Sequence, residues 1–550
     1  MTFELPFYPY PTTIYDLPRE LLIHIFTFCI PGDYSSFTTA TKRPTPVLQP
    51  LSLAGVCHLW RTLITQTPHL WSYLHLKINT RGQVPFVRAW LARAQSTPLH
   101  ISLYYDVEDT RAIYFVFEEV VGLMSEASSR WVELNIRVPD YFLFLLFGDC
   151  TSMSGAKLDV LRIHKANFVW ENPVSCTPFR LLGGLPAPRT LSLQGMSLER
   201  VVVGWKNLTC VSAEGVELGE CLKAFHLAPK LEECTFVNIN PGHVNDEVGY
   251  PTSIITHPYV HTLRIENTLV GEALLRRLCL PSLQIFSYIP ISNPFHGYSH
   301  PFAFTTPLSD FSTLESLVLR SRCMLQRLSV PAHVPAEAFA RLFGTVRTIR
   351  ELILDFGAVP PGSSVPREVL ELLVPGMNAN PSTSEMEGIP VGLLLELEAL
   401  EVQTRVISFP WSTLPRLFSL SFSSSILGAQ FDPLSLLPDS PTETSTQFRK
   451  LHRLHLKIGT SSLDANVNTY PEWPSFIDRS VLVDILQLRE GGAEVKVSVS
   501  GRDWVADSLV FHGSGQGEVS YSQTGATERG VGSAHGYFDG VNGVRYVAHL

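Results

Sequence analysis

Charge is scarce in this sequence. Asp, Glu, Lys and Arg make up 17% of its 550 residues, against roughly 25% in typical soluble domains. The charge present leans acidic, with a formal net of -9. A basic excess of the kind that holds a phosphate backbone is missing, so no nucleic-acid partner is expected. Paired cysteines are missing as well. The nine cysteines (Cys29, Cys57, Cys150, Cys176, Cys210, Cys221, Cys234, Cys279 and Cys323) are odd in number and scattered, with no C-x-x-C pair. Neither a disulfide framework nor a zinc site is expected, and no metal or cofactor is predicted. Reduced thiols in an intracellular protein, cytoplasmic or nuclear, are the simplest reading.

Long apolar runs are absent. The longest, Tyr141 to Phe147, lies between Asp140 and Gly148-Asp149, whereas a membrane span needs about 20 residues. It reads as a buried strand or helix. Met1 to Thr13 carry no positive n-region and no apolar run of signal length, so the sequence predicts a soluble, unsecreted chain with no membrane partner. Signatures of catalysis are missing too. No G-x-x-x-x-G-K-[ST], H-E-x-x-H or G-x-S-x-G occurs, and each of those chemistries needs its own spacing. Gly513-Ser514-Gly515-Gln516-Gly517 superficially resembles a phosphate loop, without the preceding strand and following amphipathic helix that such a loop requires. Glu232, Glu233, Glu396, Glu398 and Glu401 read as solvated edges of strands, not as a catalytic pair. His452 and His455, three apart on a predicted strand, point to opposite faces and make poor shared metal ligands. No catalytic residue is predicted, and the chain is not expected to be an enzyme.

What is present falls into two patterns. A chain of 550 residues with 45% hydrophobic content is too long for one ordinary core and predicts several domains or one elongated array. The first unit covers Ile14 to Leu76. Pro18 suits the first turn of a helix, and Leu17, Leu21, Leu22, Ile25, Phe26 and Cys29 follow at helical spacing on one predicted face. Pro31-Gly32 ends that helix, and Ser35 to Pro50 reads as a Thr/Pro-rich loop. A second helix is predicted over Leu51 to Leu63, with Leu53, Val56, Cys57, Trp60 and Leu63 as its apolar face. Thr67-Pro68 ends it, and Leu70 and Trp71 follow. So few short helices bury little area, so the unit is expected to complete its core against a partner. His24 and His58 are expected to be exposed.

These residues carry a resemblance. Leu17-Pro18-x-Glu20-Leu21-Leu22-x-x-Ile25-Phe26, then Val56-Cys57-x-x-Trp60-Arg61-x-Leu63, then Pro68-x-Leu70-Trp71 resemble the F-box, in the form common among fungal F-box-like proteins. The continuation Trp90-Leu91-x-Arg93-Ala94-x-Ser96-x-Pro98-Leu99 and Ile101-Ser102-Leu103 is also similar to that group, so the resemblance covers about the first hundred residues. It departs from the compact family pattern in the long Pro31 to Pro50 insertion between its two helices. What the resemblance implies is a contact with a Skp-type adaptor protein, and through it a cullin scaffold, made by Leu17, Pro18, Leu21, Leu22, Ile25, Phe26, Leu53, Val56, Cys57, Trp60, Leu63, Leu70 and Trp71.

From about Trp90 onward a motif apolar-x-x-apolar-x-apolar recurs. It begins at Trp131, Leu158, Leu231, Val260, Leu283, Leu314, Ile349, Leu397, Leu417 and Leu451, with weaker copies at Thr190 to Leu193 and Leu208-x-x-Val211. Several intervals run roughly 20 to 31 residues, near the period of a leucine-rich repeat. Each unit is expected to end a short strand whose apolar side faces the interior, with a helix or loop covering it and neighbours burying one another. Longer intervals, as between Leu354 and Leu397, read as insertions. After Ser500 the composition shifts, with ten of the 36 glycines in the last 50 residues; His512 to Gly543 reads as a flexible tail, after a last strand over Asp503 to Phe511.

The predicted organisation is an N-terminal tail over residues 1–13, an F-box-like domain over 14–76, a leucine-rich-repeat-like recognition region over 77–500, and a Gly/Ser-rich tail over 501–550. The predicted fold class is α/β, short helices followed by an irregular solenoid of short parallel strands and helices. The function implied by the resemblance is that of a substrate-recognition adaptor in an SCF-type ubiquitin ligase, holding an unknown protein substrate on the repeat region. The alternatives are an interaction scaffold with no role in ubiquitin transfer, and a hydrolytic enzyme built on a solenoid.

Overall fold

The structure is a computed structural model. It describes residues 14–30, 49–78, 82–105, 110–138, 158–165, 179–180, 186–241, 253–268, 270–289, 310–357, 363–374, 396–404, 410–418, 451–459, 476–499 and 501–513, with Leu143, Val359 and Leu394 as single positions. The expected N-terminal tail, nearly all of the Thr/Pro-rich loop, the run Tyr141 to Phe147 apart from a buried Leu143, and residues 514–550 lie outside the described residues.

The fold is mixed α and β, with thirteen α-helices among the described residues. In chain order the strands begin with β1 (Tyr73–Ile78), β2 (Leu99–Tyr105), β3 (Trp131–Val138), β4 (Val160–Lys165), β5 (Phe179–Arg180), β6 (Thr190–Gln194), β7 (Val201–Val202), β8 (Cys210–Glu214) and β9 (Glu233–Val237). They continue with β10 (Ile255–Thr256), β11 (Thr262–Glu266), β12 (Leu278–Cys279), β13 (Ile285–Ile289), β14 (Arg327–Pro331) and β15 (Glu351–Asp355). The last are β16 (Ala399–Thr404), β17 (Arg453–Ile458), β18 (Glu494–Val499) and β19 (Arg502–Asp503). Two short pairs, β5 with β7 and β10 with β12, stand apart. The other strands form one 15-stranded sheet in chain order. All its neighbours are parallel except β19, which turns back on β18.

Alternation explains the sheet. Side chains on a strand point to opposite faces with a period of two. On β4, Leu161 and Ile163 are fully buried while Arg162 and His164 face the other way. Register then aligns the apolar side chains of successive strands, Leu134 beside Leu161, Leu161 beside Leu191, Leu191 beside Val211, and so on to Leu454 beside Val495. Each such burial contributes about 1.5–3 kcal/mol. Parallel neighbours need a crossover connection, and helices occupy many of these. Helix α4 (Gln83–Ala94) joins β1 to β2, and α5 (Thr110–Glu126) joins β2 to β3. Further helices at Leu218–Leu227, Gly271–Arg276, Ser312–Ser321, Ala336–Thr345, Val365–Leu372 and Arg479–Glu490 lie between later strands, and neighbours among them pack together. Among the described residues no helix is long and apolar enough to cross a membrane.

The motifs beginning at Trp131, Leu158, Leu231, Val260, Leu283, Ile349, Leu397 and Leu451 each bury all three apolar residues on or just before a strand. The weaker copies bury the pairs Leu191 and Leu193, and Leu208 and Val211. The motif at Leu314 is different. Leu314, Leu317, Val318 and Ser321 are the buried face of the helix Ser312–Ser321, and Leu319 is 66% exposed. Arg322, at φ 50, ends that helix, and the strand is β14, carried by Leu325, Leu328 and Val330. At Leu417 the chain closes a short helix, Thr413–Arg416, and Leu420 and Phe422 lie outside the described residues. The strand expected over Asp503 to Phe511 is also corrected. Only Arg502–Asp503 is extended, and Trp504–Gly513 is a helix that packs on β18. Ordered structure thus continues past residue 501, where a tail was expected. The boundary expected after Leu76 falls inside β1, which pairs with β2 along its length.

Four consecutive strands end alike. Gly195 (φ 70), Gly215 (φ 76), Asn238 (φ 53) and Asn267 (φ 50) follow β6, β8, β9 and β11 in the left-handed region. Each donates its amide to the last residue of the next strand, Glu214, Val237, Glu266 and Ile289 respectively, at 2.7–3.0 Å. Glycine and asparagine tolerate this conformation, whereas a β-branched residue is strained there by about 1–2 kcal/mol. A Cβ at Gly195 would also meet the Lys165 Cβ at 3.2 Å. Gly195→Val is therefore expected to lower stability by about 2 kcal/mol or more, and Asn238→Gly to be nearly neutral. Denaturant unfolding of both variants checks this; equal midpoints for the two would contradict it.

Candidate partner-docking site

The N-terminal helical unit is built from α1 (Arg19–Cys29), α2 (Gln49–Ala54), α3 (His58–Thr65) and a 3-10 turn over Pro68–Trp71. Pro18 stands at the cap of α1, where its carbonyl accepts the Leu22 amide at 3.1 Å. The helix expected over Leu51 to Leu63 is two helices. Cys57 is extended (φ -156, ψ 172), and its sulfur accepts the Trp60 amide at 3.5 Å as a weak cap on α3. The Arg61 Nε donates to the Ala54 carbonyl at 3.1 Å and ties the two helices together.

One face of α1 is anchored. Leu22 and Phe26 are buried, and the Phe26 ring lies 4.7 Å from the Trp60 ring. Leu63, Leu70 and Trp71 are buried in the same core, with Leu17, Leu53 and Trp60 packed partly against it. Trp71 joins this unit to the sheet. Its indole N–H donates to the Ile64 carbonyl at 2.8 Å, and the Trp90 indole donates to the Trp71 carbonyl at 2.7 Å. The two rings meet edge to face at 4.8 Å, and the Arg93 guanidinium lies over the Trp71 ring at 4.8 Å.

The other face of α1 is open. Leu21 (49% exposed), Ile25 (40%) and Phe28 (77%) recur at i, i+4 and i+7 and form an apolar stripe. Residues at this spacing share one helix face. The sequence placed Leu21 and Ile25 on one face with Leu22, Phe26 and Cys29; the structure divides them, and Cys29 is exposed. Phe28 escaped the sequence reading although it sits three residues after Ile25. Of the thirteen residues implied as adaptor contacts, Pro18, Leu21, Ile25 and Val56 are exposed, Leu17, Leu53, Cys57 and Trp60 are half-buried, and the rest are core.

A second surface is the polar face of the sheet. Register brings Lys77, Tyr104, Arg137 and His164 into one row across β1–β4, with Arg162 and the buried His75, Ser102 and Asn135 in the next. Among the described residues of these strands Glu133 is the one carboxylate on this face, and it already takes His100 Nδ1 at 3.2 Å and Arg162. Burial raises the Glu133 pKa, but the bonds from His100 and Arg162 outweigh it and hold the carboxyl below its ordinary range. The Tyr73 and His100 rings stack at 4.4 Å, and His75 and Tyr104 meet at 4.7 Å. Burial, together with Arg137 and Arg162, lowers the His164 pKa. Farther along, the same face turns acidic, with Glu214, Glu233, Glu266, Glu351, Asp355 and Glu401 between β8 and β16 against Arg264 and Arg327. At β17 and β18, Arg453, His455 and Lys496 all pair with Glu494.

His75 gives this face a pH signature. Burial lowers its pKa from 6.5 to about 4. Between those values the unfolded chain binds a proton that the folded chain refuses. Stability from neutral His75 is therefore complete above pH 6.5 and is lost as pH falls toward 4, amounting to about 2 kcal/mol at about pH 5. His75→Phe is expected to flatten this part of the stability profile. Identical losses between about pH 7 and about pH 5 in both proteins would contradict it.

The remaining chemistry is quiet. Burial pushes the Cys210 thiol up to about 11, and raises Cys221 and Cys234 further, so none supplies a thiolate at neutral pH. Among the described residues no group of three or more His, Cys, Asp or Glu could hold a metal ion. His455 lies on β17 beside Glu494 while His452 precedes the strand and is exposed. Glu401 lies within β16 on the polar face of the sheet, half-buried and 2.6 Å from Lys457 Nζ, not at a solvated strand edge. No protein-family model matches this chain, and no curated protein matches it.

Proposed function

We propose that this chain is a substrate-recognition adaptor of an SCF-type ubiquitin ligase, acting inside the cell. The observation that carries the reading is the stripe of Leu21, Ile25 and Phe28 left open on a helix whose opposite face is anchored by Leu22 and Phe26. Two of these residues belong to the motif that resembles the F-box, where a Skp-type adaptor would dock. Removing three such side chains from water offers about 1.5–3 kcal/mol each when burial is complete. In this reading the parallel strands and helices form an irregular leucine-rich-repeat-like solenoid, and its polar sheet face presents the substrate surface. The adaptor adds no reacting side chain. It raises the effective concentration of the substrate near a ubiquitin-charged enzyme held by the cullin.

The test is co-purification. The full chain is expected to bring down a Skp-type adaptor together with a cullin. Recovery of the adaptor without the cullin would favour an interaction scaffold with no part in ubiquitin transfer. Recovery of neither would defeat the docking assignment.

A further inference from the structure

We propose that the rim where β11, β13 and β14 begin is the docking site for an extended, uncharged segment of a partner protein, gripped by one apolar side chain between Tyr259 and Met324. The inference rests on the adaptor reading only in taking that partner to be the protein delivered. Tyr259, Ser282 and Met324 each stand three residues ahead of Thr262, Ile285 and Arg327, which the register sets side by side. Tyr259 is 59% exposed and Met324 is 67% exposed. Between them Ser282 is small, and its hydroxyl donates to the Pro258 carbonyl at 2.6 Å. Pro258 and Pro281 are exposed beside them and extend the apolar area. The three segments are tied together just inside the rim. The His257 amide donates to the Cys279 carbonyl at 2.9 Å, Arg320 Nε to the Leu278 carbonyl at 3.0 Å, and the Leu280 amide to Ser321 Oγ at 2.8 Å. These bonds fix the spacing of the segments that carry Tyr259 and Met324.

Geometry sets the scale of the occupant. Neighbouring strands lie about 4.8 Å apart, so the backbones at Tyr259 and Met324 are separated by about 10 Å, which leaves room for one apolar side chain over Ser282. The adjoining row runs His261, Gln284, Gln326, with the Gln284 amide on the His261 carbonyl at 2.9 Å and the Gln326 amide on the Gln284 carbonyl at 2.8 Å. Gln284 and Gln326 are exposed, and their side-chain amides have no hydrogen bond among the described residues. Two free amides one strand apart each offer a donor and an acceptor, the set that matches a peptide backbone. Charge stands outside the centre of these rows. Lys230 and Glu232 lie on one side, Arg350, paired with Glu398, on the other, and Arg322 at the end of the helix Ser312–Ser321. A charged side chain seated between Tyr259 and Met324 would lose water without gaining a partner, so the segment that fits is uncharged. A bilayer fits less well, because hydrocarbon tails would leave both glutamine amides unsatisfied.

The test selects phage-displayed random heptapeptides on the full chain and titrates the recovered peptides, labelled, by fluorescence anisotropy. The recovered sequences are expected to share one large apolar residue between uncharged neighbours. Tyr259→Ala combined with Met324→Ala is expected to weaken their binding by roughly tenfold or more, since a few large anchors carry most of the affinity of such a contact. Gln284→Ala with Gln326→Ala should weaken it by less, and so should methylation of the peptide backbone nitrogens. All four side chains are exposed, so the variants should melt with the unsubstituted chain. The proposal is overturned if folded Tyr259→Ala, Met324→Ala chain binds every recovered peptide as before, if no peptide is recovered, or if the recovered sequences share a charge in place of the apolar residue. Binding to phosphatidylcholine vesicles that the same double variant loses overturns it in favour of lipid. A concentration-dependent dimer in sedimentation, dispersed by that variant, overturns it in favour of a second copy. Peptide binding at the rim by a chain that captures no Skp-type adaptor would leave the site standing and remove the adaptor reading. Adaptor capture without peptide binding would do the reverse.

Discussion

Trp71→Ala is expected to release the N-terminal helices from the sheet. The Trp71 side chain is 1% exposed, and truncating a buried Trp costs about 3–5 kcal/mol. The change removes the edge contact with Trp90, the ring under Arg93 and the indole bond to the Ile64 carbonyl, which keeps the Thr67 amide at 3.2 Å. Against a total of about 5–15 kcal/mol for a typical domain, this is a large share. On the proposed solenoid reading the loss is local, because stability in an array of neighbour contacts is a sum over nearby units. Hydrogen exchange should accelerate through α1, α2 and α3 while amides of β11 to β16 keep their protection. Trp71→Phe retains most of the packing and should lose less. Uniform acceleration along the sheet, or none at all, would contradict the account.

Much of the strand ladder was legible because each strand states its burial twice over. A pair such as Leu161 and Ile163 marks one face at a period of two, and a third apolar residue, Leu158, marks the entry. The failure at Leu314 follows from the same rule. Leu314 and Leu317 are three apart, a spacing shared by this strand motif and by a helix face, and Leu319 fits the strand by coincidence. Val318 and Ser321, buried on the helix, were the arbitrating residues. The true strand two turns later, around Leu328 and Val330, follows a left-handed Arg322 that nothing in its residue type announces. β18 was passed over because Lys496 and Glu494 mask the alternation of Val495, Val497 and Val499. At the C-terminal end, Trp504, Val505 and Ser508 are buried at helical spacing, so the helix competes successfully with the strand reading.

The candidate docking site was legible as a helix and illegible as a face. Leu17, Leu21, Leu22, Ile25 and Phe26 cover so much of the circumference of α1 that spacing alone cannot choose an inner side. The choice is made by residues distant in sequence. Phe26 turns inward because Trp60 lies 4.7 Å away, and Leu21 and Ile25 are left outside. The polar sheet face was less legible still. Lys77, Arg137 and Arg162 are far apart in the chain, and only the parallel register places them side by side.

Leu21→Asp with Ile25→Asp is expected to abolish capture of a Skp-type adaptor while leaving the fold intact. Both side chains are on the open face of α1, so each substitution puts a charge into water in the free chain. In a complex the same carboxylates would be buried without partners, which costs several kcal/mol and corresponds to a loss of affinity of about 100-fold or more. Leu22→Ala is the contrasting change. It opens a cavity in the core and should lower stability by about 2–5 kcal/mol, weakening capture only by unfolding the unit. The measurement is titration calorimetry of the full chain against a Skp-type adaptor, paired with a thermal melt of each variant. The account predicts tight binding by the unsubstituted chain, no measurable binding by the double aspartate variant, and matching melts for the two. Undiminished binding by the folded double variant would contradict it.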